Sequence, residues 1–285
     1  MNAYLELTKP RITWLILMST GIGYFFGVTV AGTGWHWLTL LHTIIGTGLI
    51  ASGTAALNQW FERDADAKMR RTQMRPLPSG RIAADNALLF GIGISVLGFY
   101  ELALGVNVLT GLLGLFTLAS YLFVYTPLKR RSPHSTTIGA IPGAMPPLIG
   151  YAAASGTLNT NAAILFAILF LWQFPHFYAI AWMYREDYER AGICMLPVVE
   201  PDGASTARQM FLYSCALLPI SLIPSLLAMT GNLYLIGALA LGGYYVYSST
   251  RVRFNRTRQQ ARRVLFASIV YLPLLYGLMV IDRIA

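Results

Sequence analysis

Charge is scarce in this chain and acid scarcer still: Asp and Glu number 12 against 21 Lys and Arg, and charged residues make up only 12% of the 285. Soluble domains usually carry about 25%, so a water-facing surface over most of the chain is excluded. Cysteine is nearly absent. Cys194 and Cys215 have neither metal-ligand nor redox spacing, and two cysteines build no disulfide framework. Lys and Arg are also missing from four stretches, around "AGTGWHW", "YELALGVN", "AASGTLNTN" and "MTGNLY". That gap is regular, which makes it informative.

What is present is apolar: 55% of residues are hydrophobic, in runs long enough to cross a bilayer, for which about 20 residues suffice. Nine spans are expected, near 12–32, 38–57, 84–104, 106–126, 136–155, 161–183, 209–229, 232–249 and 264–282. The fold predicted is all-α, a polytopic bundle of nine transmembrane helices with polar cytoplasmic loops, and residues 1–285 form a single intramembrane domain. The opening "MNAYLELTKPRITWLILMSTGIGYFFG" puts a cation before an apolar run, as a signal peptide does. Without a clear cleavage site, and leading into further spans, it reads as a retained first helix.

Twenty of the 21 Lys and Arg fall in the connections on one side of these spans, with Arg283 alone on the other. By the positive-inside rule that side is cytoplasmic, with the N-terminus inside and the C-terminus outside a cell inner membrane. Because the cations follow membrane topology, the net charge of +9 calls for the lipid bilayer as partner and no nucleic acid. Topology explains bases, not the acids mixed among them.

The acids gather in "NQWFERDADAKMRRTQMRPLPSG", residues 58–80. If the second span continues as helix, Asn58, Glu62 and Asp66 share one face at steps of about 6 Å. Two carboxylates and an amide form a hard-oxygen row suited to Mg²⁺ that keeps waters and bridges to phosphates, while Asp64 points away. Arg70, Arg71 and Arg75 follow with forks that match phosphate oxygens, and "RPLPSG" turns the chain. Together they describe a diphosphate clamp. The plainer alternative is a salt-bridged loop, with Glu62 pairing Arg63 and Asp66 pairing Arg70.

In "WQFPHFY" a polar ring, His176, follows Pro175 inside a span, which is a functional hypothesis by default. It has two readings: an imidazole that ligates an iron, positions an acceptor or handles a proton, or a neutral ring bonded to a carbonyl freed by Pro175. His134 reads as a solvated loop residue, His36 and His42 as residues of the outer interface. Trp172, Phe174, Phe177 and Tyr178 are candidates to line an apolar substrate.

The pattern N-x-x-x-[DE]-x-x-x-D followed by M-x-R-T-x-x-R-x-x-x-x-G, here Asn58, Glu62, Asp66, Met69, Arg71, Thr72, Arg75 and Gly80, resembles the signature of the UbiA-type intramembrane prenyltransferases. "LTKPRIT", "YTPLKRRSPHSTTIGAIPGAMPPLIGY" and "LWQFPHFYAIAWMYREDYERAGICMLPVV" extend the likeness along the chain, toward the branch that uses farnesyl diphosphate and protoheme IX. The resemblance implies Mg²⁺ at Asn58, Glu62, Asp66 and Asp187, and catalytic roles for Glu62, Asp66, Lys129 and His176. It implies diphosphate binding by Asn58, Arg71, Arg75, Tyr125 and Lys129, the last two from a Y-x-x-x-K element, and acceptor binding by His176 and Arg185. It further implies heme O production for a terminal oxidase, with an oxidase-assembly or heme A synthase partner.

In place of the Asp-rich second motif of quinone-type members this chain has "YREDYERAG", which argues against a quinone-precursor acceptor. A polytopic anion transporter is the rival of another class. It would place its site at mid-membrane on interrupted, repeated helices, and the densest polar motif here closes a helix instead.

Overall fold

A computed structural model describes residues 3–31 and 34–284. Among the described residues the only β feature is an isolated antiparallel bridge between Thr230 and Arg283. The helices are α1 (Ala3–Leu7), α2 (Pro10–Ala31), α3 (Trp37–Asp66), α4 (Ala84–Gly105) and α5 (Val108–Ala119), which runs through a π-helical turn (Ser120–Tyr125) into α6 (Thr126–Leu128). There follow α7 (Ser135–Gly143), α8 (Pro146–Ser155), α9 (Thr160–Met183), α10 (Arg185–Arg190), α11 (Leu196–Val199), α12 (Ala204–Leu226), α13 (Asn232–Phe254) and α14 (Arg258–Ile281).

Seven helical segments among the described residues are long and apolar enough to cross a membrane. The other two expected spans take different forms. Residues 232–249 lie within the continuous α13, whose Gly, Tyr and Ser content lowers its hydropathy. Residues 136–155 divide into α7 and α8 at Ala144 and Met145, because Pro146 and Pro147 open the second helix and cannot continue the first.

Large apolar side chains such as Trp14, Leu89, Leu104 and Ile281 lie on the outside, while Thr20, Thr43, Ser221 and Ser268 are buried. That inversion fits a lipid solvent, where helices associate through small and polar residues. At the crossing of α2 and α8 the backbones nearly touch. A Cβ on Gly23 would sit 2.0 Å from the Pro147 carbonyl oxygen, and one on Gly150 1.8 Å from that of Thr20.

The 30 residues of α3 give it a length of about 45 Å, well beyond the roughly 30 Å of a hydrocarbon core. Its final turns therefore lie at or past the apolar layer. That end also gathers the start of α2 and the ends of α6, α9 and α13, and so nearly all of the basic residues.

Candidate active site

Asn58, Glu62 and Asp66 are all buried on α3, which continues as helix to Asp66. Each already holds a cation. Lys9 Nζ donates to Asn58 Oδ1 at 3.2 Å, Lys129 Nζ to Glu62 Oε1 at 2.8 Å, and Arg75 to Asp66 Oδ2 at 2.7 Å. The alternative pairings with Arg63 and Arg70 do not form: Arg63 lies 4.0 Å from the exposed Asp64, and the backbone N–H of Arg70 donates to Asp187.

Lys9, which the sequence offers as a topology cation and as part of "LTKPRIT", is a further residue of this site. It stands between α1 and Pro10 with φ +48°, a left-handed conformation that costs a non-glycine residue about 1–2 kcal/mol. The short α1 is held down by Leu7, which is buried against Ala56 and Leu77, and by Gln59, whose Nε2 donates to the Leu7 carbonyl at 2.9 Å. Burial, reinforced by the nearby Arg75 guanidinium, pushes the Lys9 ammonium down to about 7. Lys129 goes the other way: burial opposes its charge, but Glu62 and the two tyrosines beside it outweigh that and hold it well above the ordinary lysine range.

Those tyrosines come from the π turn. Lys129 Nζ lies 4.4 Å from the Tyr125 ring centroid and 6.0 Å from that of Tyr121, and the two rings meet edge to face at 5.0 Å. Tyr125 belonged to the expected set; Tyr121 did not. A π turn is a frequent mark of a functional site, and no periodicity in "LASYLFVYTPLK" announces it.

The same turn orients Asn58. The Thr126 hydroxyl donates to the Tyr121 carbonyl at 2.9 Å, so its oxygen is left to accept from Asn58 Nδ2 at 3.3 Å. The amide nitrogen therefore faces α6, and the amide oxygen faces Lys9.

Arg71 and Asp187 form an adjoining patch. Asp187 Oδ1 accepts from the Arg70 backbone at 3.3 Å and pairs with Arg190. Arg71 donates to the Tyr188 hydroxyl at 3.3 Å and lies 5.1 Å from the Tyr184 ring centroid. The loop after α3 is thus tied to α10, and Arg81 ties its far end to Glu6 at 2.8 Å.

For a divalent cation the donor set fits. Asp66 Oδ1 is buried and has no hydrogen-bond partner, an arrangement that is costly unless something else satisfies it. Among the described residues no three His, Cys, Asp or Glu side chains converge as a metal cage. The set offered is two carboxylates and an amide, which suits an ion that keeps waters and takes further oxygens from a phosphate.

His176 lies elsewhere, on α9 facing α14. Its Nδ1 is 2.8 Å from Ser268 Oγ, and its ring stacks on Trp172 at 4.9 Å. Its partner is therefore that hydroxyl rather than a carbonyl released by Pro175. The Ser268 proton is engaged by the Leu265 carbonyl at 2.6 Å, so Nδ1 donates and Nε2 keeps its lone pair. Arg185 stacks 4.4 Å from the Trp182 ring centroid, at the end of the same helix. Phe174 packs inward on Tyr213 at 3.7 Å, whereas Phe177 is exposed. At the opposite end His42 pairs with Glu101 across α3 and α4 at 2.7 Å, a contact missed in reading His42 as an interface residue.

The profile of the UbiA prenyltransferase family matches residues 20–270. A protoheme IX farnesyltransferase of Solibacter usitatus (strain Ellin6076) is 65% identical over 292 residues, covering 99% of this chain and 99% of that protein. Among solved structures, a digeranylgeranylglyceryl phosphate synthase superposes with TM-score 0.81 at 18% identity, over 98% of this chain and 97% of the other. A UbiA homologue of Archaeoglobus fulgidus bound to GPP and Mg²⁺ gives TM-score 0.64 at 16% identity, over 98% of this chain and 100% of that one. At such identities the structural likeness speaks for the fold.

Proposed function

The chain belongs to the UbiA prenyltransferase family, and from that premise, with a 65% identical protoheme IX farnesyltransferase among its relatives, we infer that it farnesylates protoheme IX. The farnesyl group of farnesyl diphosphate goes to a heme vinyl group with addition of water, giving heme O and diphosphate. The C–O bond of the donor breaks and diphosphate leaves with the electron pair. The vinyl carbon bonds to the farnesyl carbon, and water captures the heme-side cation and releases a proton.

The observation that carries this reading is the α3 face, where three oxygen-bearing side chains each hold a cation drawn from a different part of the chain. Lys9, Arg75 and Lys129 exchange those partners for diphosphate oxygens, and Arg71 closes over them from the adjoining patch. Negative charge growing on the leaving group then meets donors that are already desolvated and aimed. Tyr125 braces Lys129. Asn58, Glu62 and Asp66 would hold Mg²⁺, with Asp187 as the further acid; the unpartnered Asp66 Oδ1 supports this, as does the Mg²⁺ bound in the Archaeoglobus homologue. When bound, the ion supplies positive charge against the diphosphate oxygens.

His176 holds the acceptor through Nε2, with Nδ1 anchored on Ser268 in the manner of oriented ligating imidazoles. Heme is here a substrate. Arg185 takes an anionic edge of it. Apolar walls keep water from the farnesyl cation until transfer.

The protein is a multi-pass membrane protein. We place it as one domain, residues 1–285, in the cell inner membrane, with the N-terminus and the acid site cytoplasmic and the C-terminus outside. Its product then passes to oxidase assembly or to a heme A synthase.

Purified protein incubated with protoheme IX, farnesyl diphosphate and Mg²⁺ should yield a heme heavier by one farnesyl group and one hydroxyl by mass spectrometry. Glu62→Gln and Asp66→Asn should each reduce that yield by at least about a hundredfold, as loss of a transition-state contact does. Unchanged heme alongside a prenylated quinone precursor would reject the acceptor and keep the family chemistry.

A further inference from the structure

Beside the acid site, at the same end of the bundle, a groove of about 490 Å³ opens between the end of α9, the turn before α12 and the α13–α14 connection. Its walls include Trp182, Arg185, Asp202, Phe254 and Arg256, and its volume lies in the range of small-molecule sites. Three arginines at this end are matched to acids, Arg75 to Asp66, Arg81 to Glu6 and Arg190 to Asp187. Arg185 and Arg256 form no ion pair with a carboxylate among the described residues. Asp202 does stand in the wall, but its Oδ1 accepts from the Ala204 N–H at the start of α12 at 3.2 Å, and Arg256 donates only to its backbone carbonyl at 3.3 Å.

The floor is held rigidly. Trp182 Nε1 donates to the Arg256 carbonyl at 3.1 Å, and Gly203, with φ +70°, packs so closely that a Cβ there would lie 2.3 Å from the indole. The indole in turn carries the Arg185 guanidinium on its face. Phe254 at the rim is 85% exposed, an apolar edge beside two cations that have no carboxylate partner among the described residues.

We propose that this groove binds the two carboxylates of the porphyrin acceptor, with Arg185 and Arg256 as their partners and Trp182 and Phe254 against the ring edge; the proposal rests on the acceptor assigned above. Trp182 is six residues beyond His176 on α9, about 9 Å along the helix axis. A porphyrin bearing its carboxylates on one edge and iron at its centre spans that interval, iron toward His176 and carboxylates in the groove. Its vinyl groups, on the edge away from the carboxylates, then lie deeper, as does Asn58, about 12 Å inward from the end of α3. The groove thus sets which edge of the acceptor meets the donor.

The test is a cycle that crosses protein and substrate changes. Initial rates are measured with protoheme IX and with its dimethyl ester, for wild type, Arg185→Ala and Arg256→Ala, in neutral and in anionic lipid vesicles. For wild type the ester should show a KM about tenfold or more above that of the free acid, the scale of a lost charge-assisted hydrogen bond. In each variant the ratio should fall toward one, with no rise in KM for farnesyl diphosphate. Arg185→Lys should restore part of the ratio, since the charge remains and the fork does not.

Equal KM values for the two porphyrins in wild type, or variants that raise both alike, would overturn the proposal while leaving the farnesylation intact. A ratio insensitive to the variants, with effects confined to anionic vesicles, would make the groove a lipid-headgroup site and reject it equally. If wild type farnesylates neither porphyrin, the acceptor reading itself falls, and this proposal falls with it.

Discussion

Lys9 is the residue whose behaviour departs furthest from its type. Burial and the nearby Arg75 guanidinium push its ammonium down to about 7 from an ordinary 10.5, so between those values the folded state has released a proton that the unfolded chain keeps. The unfolded state then binds more protons, and stability contributed through Lys9 rises with pH across that window and is lowest below it. Thermal unfolding of wild type and Lys9→Met, measured with chelator and without diphosphate, should reveal this. The variant is favoured at the acid end, and the difference shifts toward wild type as pH rises; a pH-independent difference would contradict it. Asn58, Glu62 and Asp66 were legible from the sequence because helical spacing alone puts them on one face. Lys9 was not, since its role depends on a left-handed turn that docks α1 on α3.

At the scale of elements, the π turn between α5 and α6 does two things that an uninterrupted helix would not. It brings Tyr121 and Tyr125 over Lys129, and it presents Thr126 to Asn58. Thr126→Val keeps the shape and removes the acceptor, so the amide is free to turn. The expected result is an Mg²⁺ requirement raised about tenfold, with Thr126→Ser close to wild type. An unchanged Mg²⁺ dependence in Thr126→Val would mean that Asn58 needs no such guide. The break between α7 and α8 is also an element-scale feature. Its proline pair is plain in the sequence, but hydropathy averages over such breaks and predicts one continuous span.

For the whole molecule, topology is the claim to test. Cys194 and Cys215 are the two cysteines, both free, and only Cys194 lies outside the membrane-spanning helices, in the connection after α10 at the charged end. A membrane-impermeant maleimide should therefore label Cys194 in inverted membrane vesicles and spare it in right-side-out ones; the opposite pattern would reverse the orientation.

The all-helical class, the order of the spans, the side that carries charge and the row of oxygens on α3 follow from the sequence by itself. Each rests on local periodicity or on the composition of contiguous segments. Which cation meets which oxygen was decided only by the tertiary structure. Lys9 reaches Asn58 across 49 residues, Lys129 reaches Glu62 across 67, and Thr126 orients Asn58 across 68. The nearer candidates, Arg63 and Arg70, lost to these distant partners because helix packing, not proximity in the chain, sets which side chains share a buried space.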